Sequence, residues 1–165
     1  MEFLQDLFSN YILLVPIVSW FSCQLIKVII HLIIEHRFSL ERMFGDGGMP
    51  SGHSATVFSL AVATGWSYGF DSAIFAIAAV LAVVVMHDAM GVRREAGKHA
   101  ESIKEIAELI NEFFNEKDVK IRTEKIKKLV GHTPLQVFVG ALVGLAVATA
   151  VCAILDVPYM GGYFM

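Results

Sequence analysis

Gly47-Gly48-Met49-Pro50-Ser51-Gly52-His53-Ser54 stands directly before a long apolar run. Two glycines let a backbone turn tightly and approach a ligand closely. Proline suits the first turn of a helix, where its missing N–H costs nothing. A helix starting at Pro50 would turn unpaired backbone N–H groups, and the positive end of its dipole, toward Ser51, Gly52 and His53. That arrangement favours an anion, phosphate above all.

The surroundings of this stretch decide the class. In 165 residues, 56% are hydrophobic and the mean hydropathy is +0.62, too apolar for an ordinary soluble domain. Residues 11–34, 51–70, 73–90 and 134–155 are each long and apolar enough, or nearly so, to cross a bilayer. The expected fold is therefore all-α: one integral membrane domain over 1–165, with four transmembrane helices. Glu2 and Asp6 occupy the start in place of a basic patch, and no small-residue cleavage site follows the first segment, so that segment is expected to stay.

The net charge of −3 matters less than where the charges lie. Of 13 Lys and Arg, one is Lys27; the others are Arg37, Arg42 and the run from Arg93 to Lys128. With four crossings both basic stretches fall on one side, which the positive-inside rule makes cytoplasmic. Both termini would then be extracytoplasmic, and the protein a multi-pass component of the cell membrane. The basic run alternates with acids and lacks stacking aromatics, which argues against nucleic acid. Ile103, Ile106, Leu109, Ile110, Phe113 and Phe114 recur at helical spacing within it, and Ile126, Leu129 and Val130 suit a second short helix. Residues 94–131 thus read as a cytoplasmic amphipathic hairpin, on the membrane surface or over the site. Cys23 and Cys152 read as buried thiols.

Gln24, Lys27 and His31 share one face of the first segment with Trp20. A lysine at that depth either faces protein or a watery cavity, or snorkels to the interface. Gly131-His132-Thr133-Pro134 opens the last segment, with Thr133 as N-cap, Pro134 in the first turn and His132 at a second helix start. Gly140 and Gly144 form a small-xxx-small pair. In the four-crossing topology His53, His132, Asp88, Arg93, Arg94 and Lys27 come to the same side. Cations and helix N-termini suit a tetrahedral phosphate. Of the two histidines, one can attack phosphorus while the other protonates the leaving oxygen. No acidic cluster is present to hold Mg²⁺, so neither a metal nor a cofactor is expected. Asp88 serves either as a supporting carboxylate or as a salt-bridge partner of Arg93 or Arg94.

Gly-Met-Pro-Ser-Gly-His-Ser at 48–54 resembles the central motif of the type-2 phosphatidic acid phosphatase superfamily, whose fold is shared with vanadium-dependent haloperoxidases. His132-Thr-Pro-Leu-Gln-Val-Phe-Val-Gly-Ala-Leu-Val-Gly resembles its last motif. With Gln24, Lys27 and Asp88-Ala-Met-Gly-Val-Arg-Arg, the whole chain is similar to the small bacterial divergent branch. The resemblance implies that His132 is the nucleophile forming a phosphohistidine and His53 the leaving-group acid. It further implies that Ser51 and Gly52 contact phosphate, with Lys27 and Arg93 or Arg94 as phosphate-binding cations. Departures exist. No Arg-Pro follows Lys27, Ile126 stands where an Arg usually precedes the histidine, and Gln136 replaces the orienting Asp. Arg93 stands six residues before His99, which makes His99 a rival nucleophile without the Pro and Gly-Ala-Leu context. The implied function is hydrolysis of a lipid-linked phosphomonoester or pyrophosphate. The alternative is a non-catalytic membrane protein that binds lipid phosphate at the same place; vanadate-based peroxidase chemistry has no marker here. The lipid and the oligomeric state stay open.

Overall fold

A computed structural model describes residues 2–36, 48–114 and 132–159; the side chains of residues 2, 35, 92–94 and 112–114 are outside that set. All regular structure among the described residues is helical: α1 (Glu2–Ser9), α2 (Tyr11–Glu35), α3 (Gly52–Tyr68), α4 (Ala73–Met90), α5 (Val92–Phe114) and α6 (Pro134–Ile154). The caps explain the boundaries. Asn10, Ser51, Ser72 and Thr133 each accept a backbone N–H three residues on, and Gly69 and Gly91 close α3 and α4.

Large and small side chains sort in the reverse of a soluble protein. Ile77 and Val80 of α4, Phe21 and Leu25 of α2, and Phe138 of α6 face outward, while Ala55, Ala63, Ala78, Ala82 and Ala148 are buried. Lipid solvates the large groups as well as a core would, so helix contacts go to residues that let backbones approach. Among the described residues three helical stretches are long and apolar enough to cross a membrane: Tyr11–Ile34, Ala73–Asn111 and Pro134–Ile154. The expected second span is α3, a helix of 17 residues. It rises about 26 Å, somewhat less than the ~30 Å hydrocarbon core. It lies at the centre, packed against α2, α4 and α6, and buries Ser54, Ala55, Ser59, Ala61, Ala63 and Thr64.

Two details depart from the sequence reading. Pro50 does not open α3: it precedes the N-cap, after a cis Met49–Pro50 bond, and α3 starts at Gly52. Ser51 sets the start, because its hydroxyl accepts from Ser54 N and its carbonyl from Ala55 N. The first ten residues are not merely a tail, since α1 is a helix whose Phe3, Leu4 and Phe8 are exposed. Of the expected 94–131 hairpin only α5 falls within the described set; it continues from α4 and leaves Ile103, Ile106 and Leu109 exposed. Residues 115–131, with Ile126, Leu129 and Val130, lie outside it, as do residues 37–47 with Arg37 and Arg42.

Candidate functional site

The starts of α3 and α6 and the end of α4 are tied by backbone bonds. Ser51 N donates to Gln136 O at 3.0 Å, and His132 N donates to Ala89 O at 3.1 Å. Close approach of α3 and α6 rests on two glycines: a Cβ at Gly140 would strike the Ser51 carbonyl, and one at Gly144 would stand 2.5 Å from Ala55 O. α2 closes the other side. Trp20 Cδ1 lies 3.3 Å from where a Cβ on Gly52 would be, and Cys23 Sγ is 4.0 Å from Ser51 O.

This framework brings His53 and His132 together, with ring centroids 5.9 Å apart and planes at 59°. His53 is half-buried at the second helical position of α3, whereas His132 is buried just before the α6 cap. His132 Nδ1 lies 3.4 Å from Gln136 Oε1. The amide's orientation is fixed independently, since Thr133 N donates to the same Oε1 at 2.9 Å. A carbonyl oxygen only accepts, so Nδ1 carries the proton when the ring is neutral and the lone pair resides on Nε2. Gln136 therefore occupies the orienting place without a charge.

The two helix starts are unequal as anion sites. In α6, Pro134 has no N–H and the Gln136 N–H is taken by Thr133 Oγ1 at 3.4 Å. In α3, Ser54 N–H goes to Ser51 Oγ, while Gly52 and His53 occupy the first two helical positions and direct their N–H groups out of the helix start. Ser51 is fully buried, and its hydroxyl also accepts from Ser54 Oγ at 2.9 Å, so its side chain builds the helix start.

Lys27 is 7% exposed and thus buried, not snorkelling. It follows Cys23 by one turn on the α2 face that meets Ser51, and α2 runs on for about 12 Å beyond it. Gln24 is buried beside it, with Oε1 lacking a hydrogen-bond partner among the described residues. Asp88 is half-buried next to Ala89. Arg93 and Arg94 fall in the first turn of α5, their side chains outside the described set. His99 lies along α5, away from the two helix starts in sequence and element. The Ala89 carbonyl was invisible to sequence reasoning, because a backbone acceptor leaves no mark in residue type. The Thr133/Gln136 capping box was legible as Thr-x-x-Gln.

A family model described as the Divergent PAP2 family matches residues 8–147. The chain belongs to that family. It is also 39% identical over 146 residues to "Uncharacterized membrane protein YuiD" of Bacillus subtilis (strain 168), covering 85% of this chain and 92% of the relative. No solved structure matches. Membership of the divergent PAP2 family and likeness to that membrane protein, with the apolar outward faces, make this a membrane protein of a divergent PAP2-related family.

Proposed function

We propose that the protein is a membrane phosphohydrolase acting on a lipid-linked phosphomonoester or pyrophosphate through a phosphohistidine, using only the chain's own groups. The observation that carries this reading is the His53–His132 pair, 5.9 Å apart at the N-terminus of α3. One tetrahedral group can touch both rings, since near-attack needs about 3–3.5 Å and proton delivery about 2.6–3.2 Å. Nε2 of neutral His132 attacks phosphorus, the ester P–O bond breaks, and protonated His53 gives its proton to the leaving oxygen. Neutral His53 then takes a proton from water as that water attacks phosphorus. The P–N bond breaks, inorganic phosphate leaves, and both rings regain their starting states. Gly52 and His53 N–H groups, Lys27 and Arg93 or Arg94 hold the phosphoryl oxygens, where fixed donors stabilise the developing charge. Asp88 supports this cationic side.

In this reading α3 is the second of four crossings, and 94–131 forms a cytoplasmic insertion. The site faces the cytoplasm, and both termini lie outside. The one-sided placement of Lys and Arg supports this orientation. An apolar leaving group in the bilayer accounts for a phosphate site held by membrane helices.

A second reading, a non-catalytic binder of lipid phosphate, is favoured by neutral Gln136 opposite His132 Nδ1. Turnover separates the two. Purified protein is expected to release phosphate from phosphatidic acid, a polyprenyl phosphate or a lysolipid phosphate, and His132→Ala to abolish release with thermal unfolding unchanged. Wild-type protein that binds vanadate yet releases nothing from any of them would establish the binder.

A further inference from the structure

Two hollows open on the membrane-facing side, of about 830 and 480 Å³. They share Phe58, Val83, Met86 and Leu145, and so form one trough with α3 as its floor and α4 and α6 as its walls. One end is lined by His87, Met90 and Pro134. His87 and Met90 flank Ala89, whose carbonyl accepts from His132 N, and Pro134 follows His132 by two residues, so this end of the trough lies beside the candidate site. The other end is lined by Trp66, Phe70 and Tyr159, with Tyr159 packed edge to face on Trp66 and tilted against Phe70. Apart from His87 and the aromatic group, the lining is apolar except for Thr149 at the far end, whose hydroxyl is already bonded to Leu145 O.

The length of the trough selects its occupant. Phe75 and Met90 line opposite ends on α4, and Pro134 and Thr149 do so on α6. Each pair is separated by about 22 Å of helix. One leaflet supplies only ~15 Å of hydrocarbon. A tail starting at the site and filling the trough therefore passes the bilayer midplane. We propose that this trough seats the tail of the substrate, and that the substrate is a lipid phosphate with one hydrocarbon chain longer than a leaflet. This rests on the phosphate site above; it adds how the tail is measured.

Ala79 marks the decisive point, because it lines the far hollow about 16 Å along α4 from Met90. A leaflet-length chain ends before it and a longer one passes it. Val83 lies closer in, about 10 Å from Met90, beside any tail. Binding is measured in nanodiscs by competition against a fluorescent lipid phosphate, with unlabelled polyprenyl monophosphate and dioleoyl phosphatidic acid as competitors. Ala79→Phe is expected to weaken the polyprenyl phosphate about tenfold or more, since several buried methylenes are lost, and to leave phosphatidic acid within about twofold. Val83→Phe is expected to weaken both. Equal effects of Ala79→Phe on the two lipids, or no effect on either, overturn the proposal and leave the trough as ordinary annular lipid. A second reading does not depend on the Ala79 and Val83 variants. A tail-brominated polyprenyl phosphate should quench the fluorescence that Trp66 contributes, taken as the difference from Trp66→Phe, and polyprenol without phosphate should not compete. Absence of that quenching also overturns it. Because binding is the readout, an inert but lipid-binding protein would sink the phosphatase reading while still testing the trough.

Discussion

Replacing Gly140 with alanine should do more harm than any other single methyl added to α6. Its Cβ would drive into the Ser51 carbonyl, with the Ser51 carbonyl carbon and Cβ 3.1 Å away, and a backbone group cannot swing aside as a side-chain end can. Gly144, one turn on, gives the scale. A Cβ there would stand 2.5 Å from Ala55 O, where ordinary contact begins at 3.4 Å, so the helices must part by about 0.9 Å. A similar separation at Gly140 would stretch the 3.0 Å bond from Ser51 N to Gln136 O past hydrogen-bonding range. Overpacking costs about 1–3 kcal/mol and the lost bond about 1 kcal/mol, so Gly140→Ala should destabilise by about 2–4 kcal/mol. The same displacement moves His132 relative to His53, and misplacement of about 1 Å can cost ~10²-fold in rate. Thermal unfolding in detergent and phosphate release report the two effects separately. Ile154→Ala serves as the control on the same helix, because Ile154 is 80% exposed and lines neither hollow. Gly140→Ala protein with wild-type melting would mean that α3 and α6 do not meet as described, whatever the protein's activity.

Other expectations follow from the same contacts. Gln136→Glu keeps the acceptor shape facing His132 Nδ1 and Thr133 N but adds a negative charge, which favours the imidazolium and raises the His132 pKa. Since attack needs neutral imidazole, the acid limb of the pH–rate profile should move to higher pH; an unmoved limb would remove His132 from the nucleophile's role. Thr133→Ala should lower stability by about 1 kcal/mol through loss of the α6 cap, and Thr133→Ser should restore it; equal melting of all three proteins would contradict the cap. In intact cells an impermeant maleimide should label Asp71→Cys but reach Glu101→Cys only after permeabilisation, with Cys23 and Cys152 silent because both are fully buried. The reverse pattern would invert the proposed orientation.

Element ends were legible wherever a capping residue stood in a plain pattern. Thr133-Pro134 and Ser72-Ala73 opened helices where expected, because hydroxyl caps act locally. Pro50 misled for the same reason: proline and serine both suit a helix start, and only the contact from Ser54 N to Ser51 Oγ decides which residue is the cap. α1 was missed, since eight residues give too short a period to distinguish from a polar tail. In the site, the inward face of Lys27 could be read from its spacing to Gln24 and Trp20. The bonds that bring the helix starts together could not, because they join backbone groups of Ser51, Gln136, Ala89 and His132. Side-chain identity constrains such bonds only through the glycines that permit them.

The inequality of the two helix starts bears on how the proposed roles divide. α6 supplies little to an anion: Pro134 lacks the donor, and Gln136 is held by Thr133. Its start is instead stiffened by reciprocal bonds between Thr133 and Gln136, with the Gln136 side chain also facing His132 Nδ1. A nucleophile needs a fixed direction more than it needs a nearby positive dipole, which would lower the basicity of its ring. α3 offers the complementary environment, with first-turn N–H groups at Gly52 and His53. The helix start alone would lower the basicity of the His53 ring too, so in the proposed reaction it is the phosphate dianion held by those N–H groups that lets the ring keep the proton the leaving oxygen requires. In the proposed mechanism, orientation at His132 and charge at His53 give the two imidazoles opposite tasks. If His53→Asn slowed the first-turnover burst of aryl alcohol from an aryl phosphate, whose leaving oxygen needs no proton, as much as that of the alcohol from an alkyl phosphate, that division would be wrong.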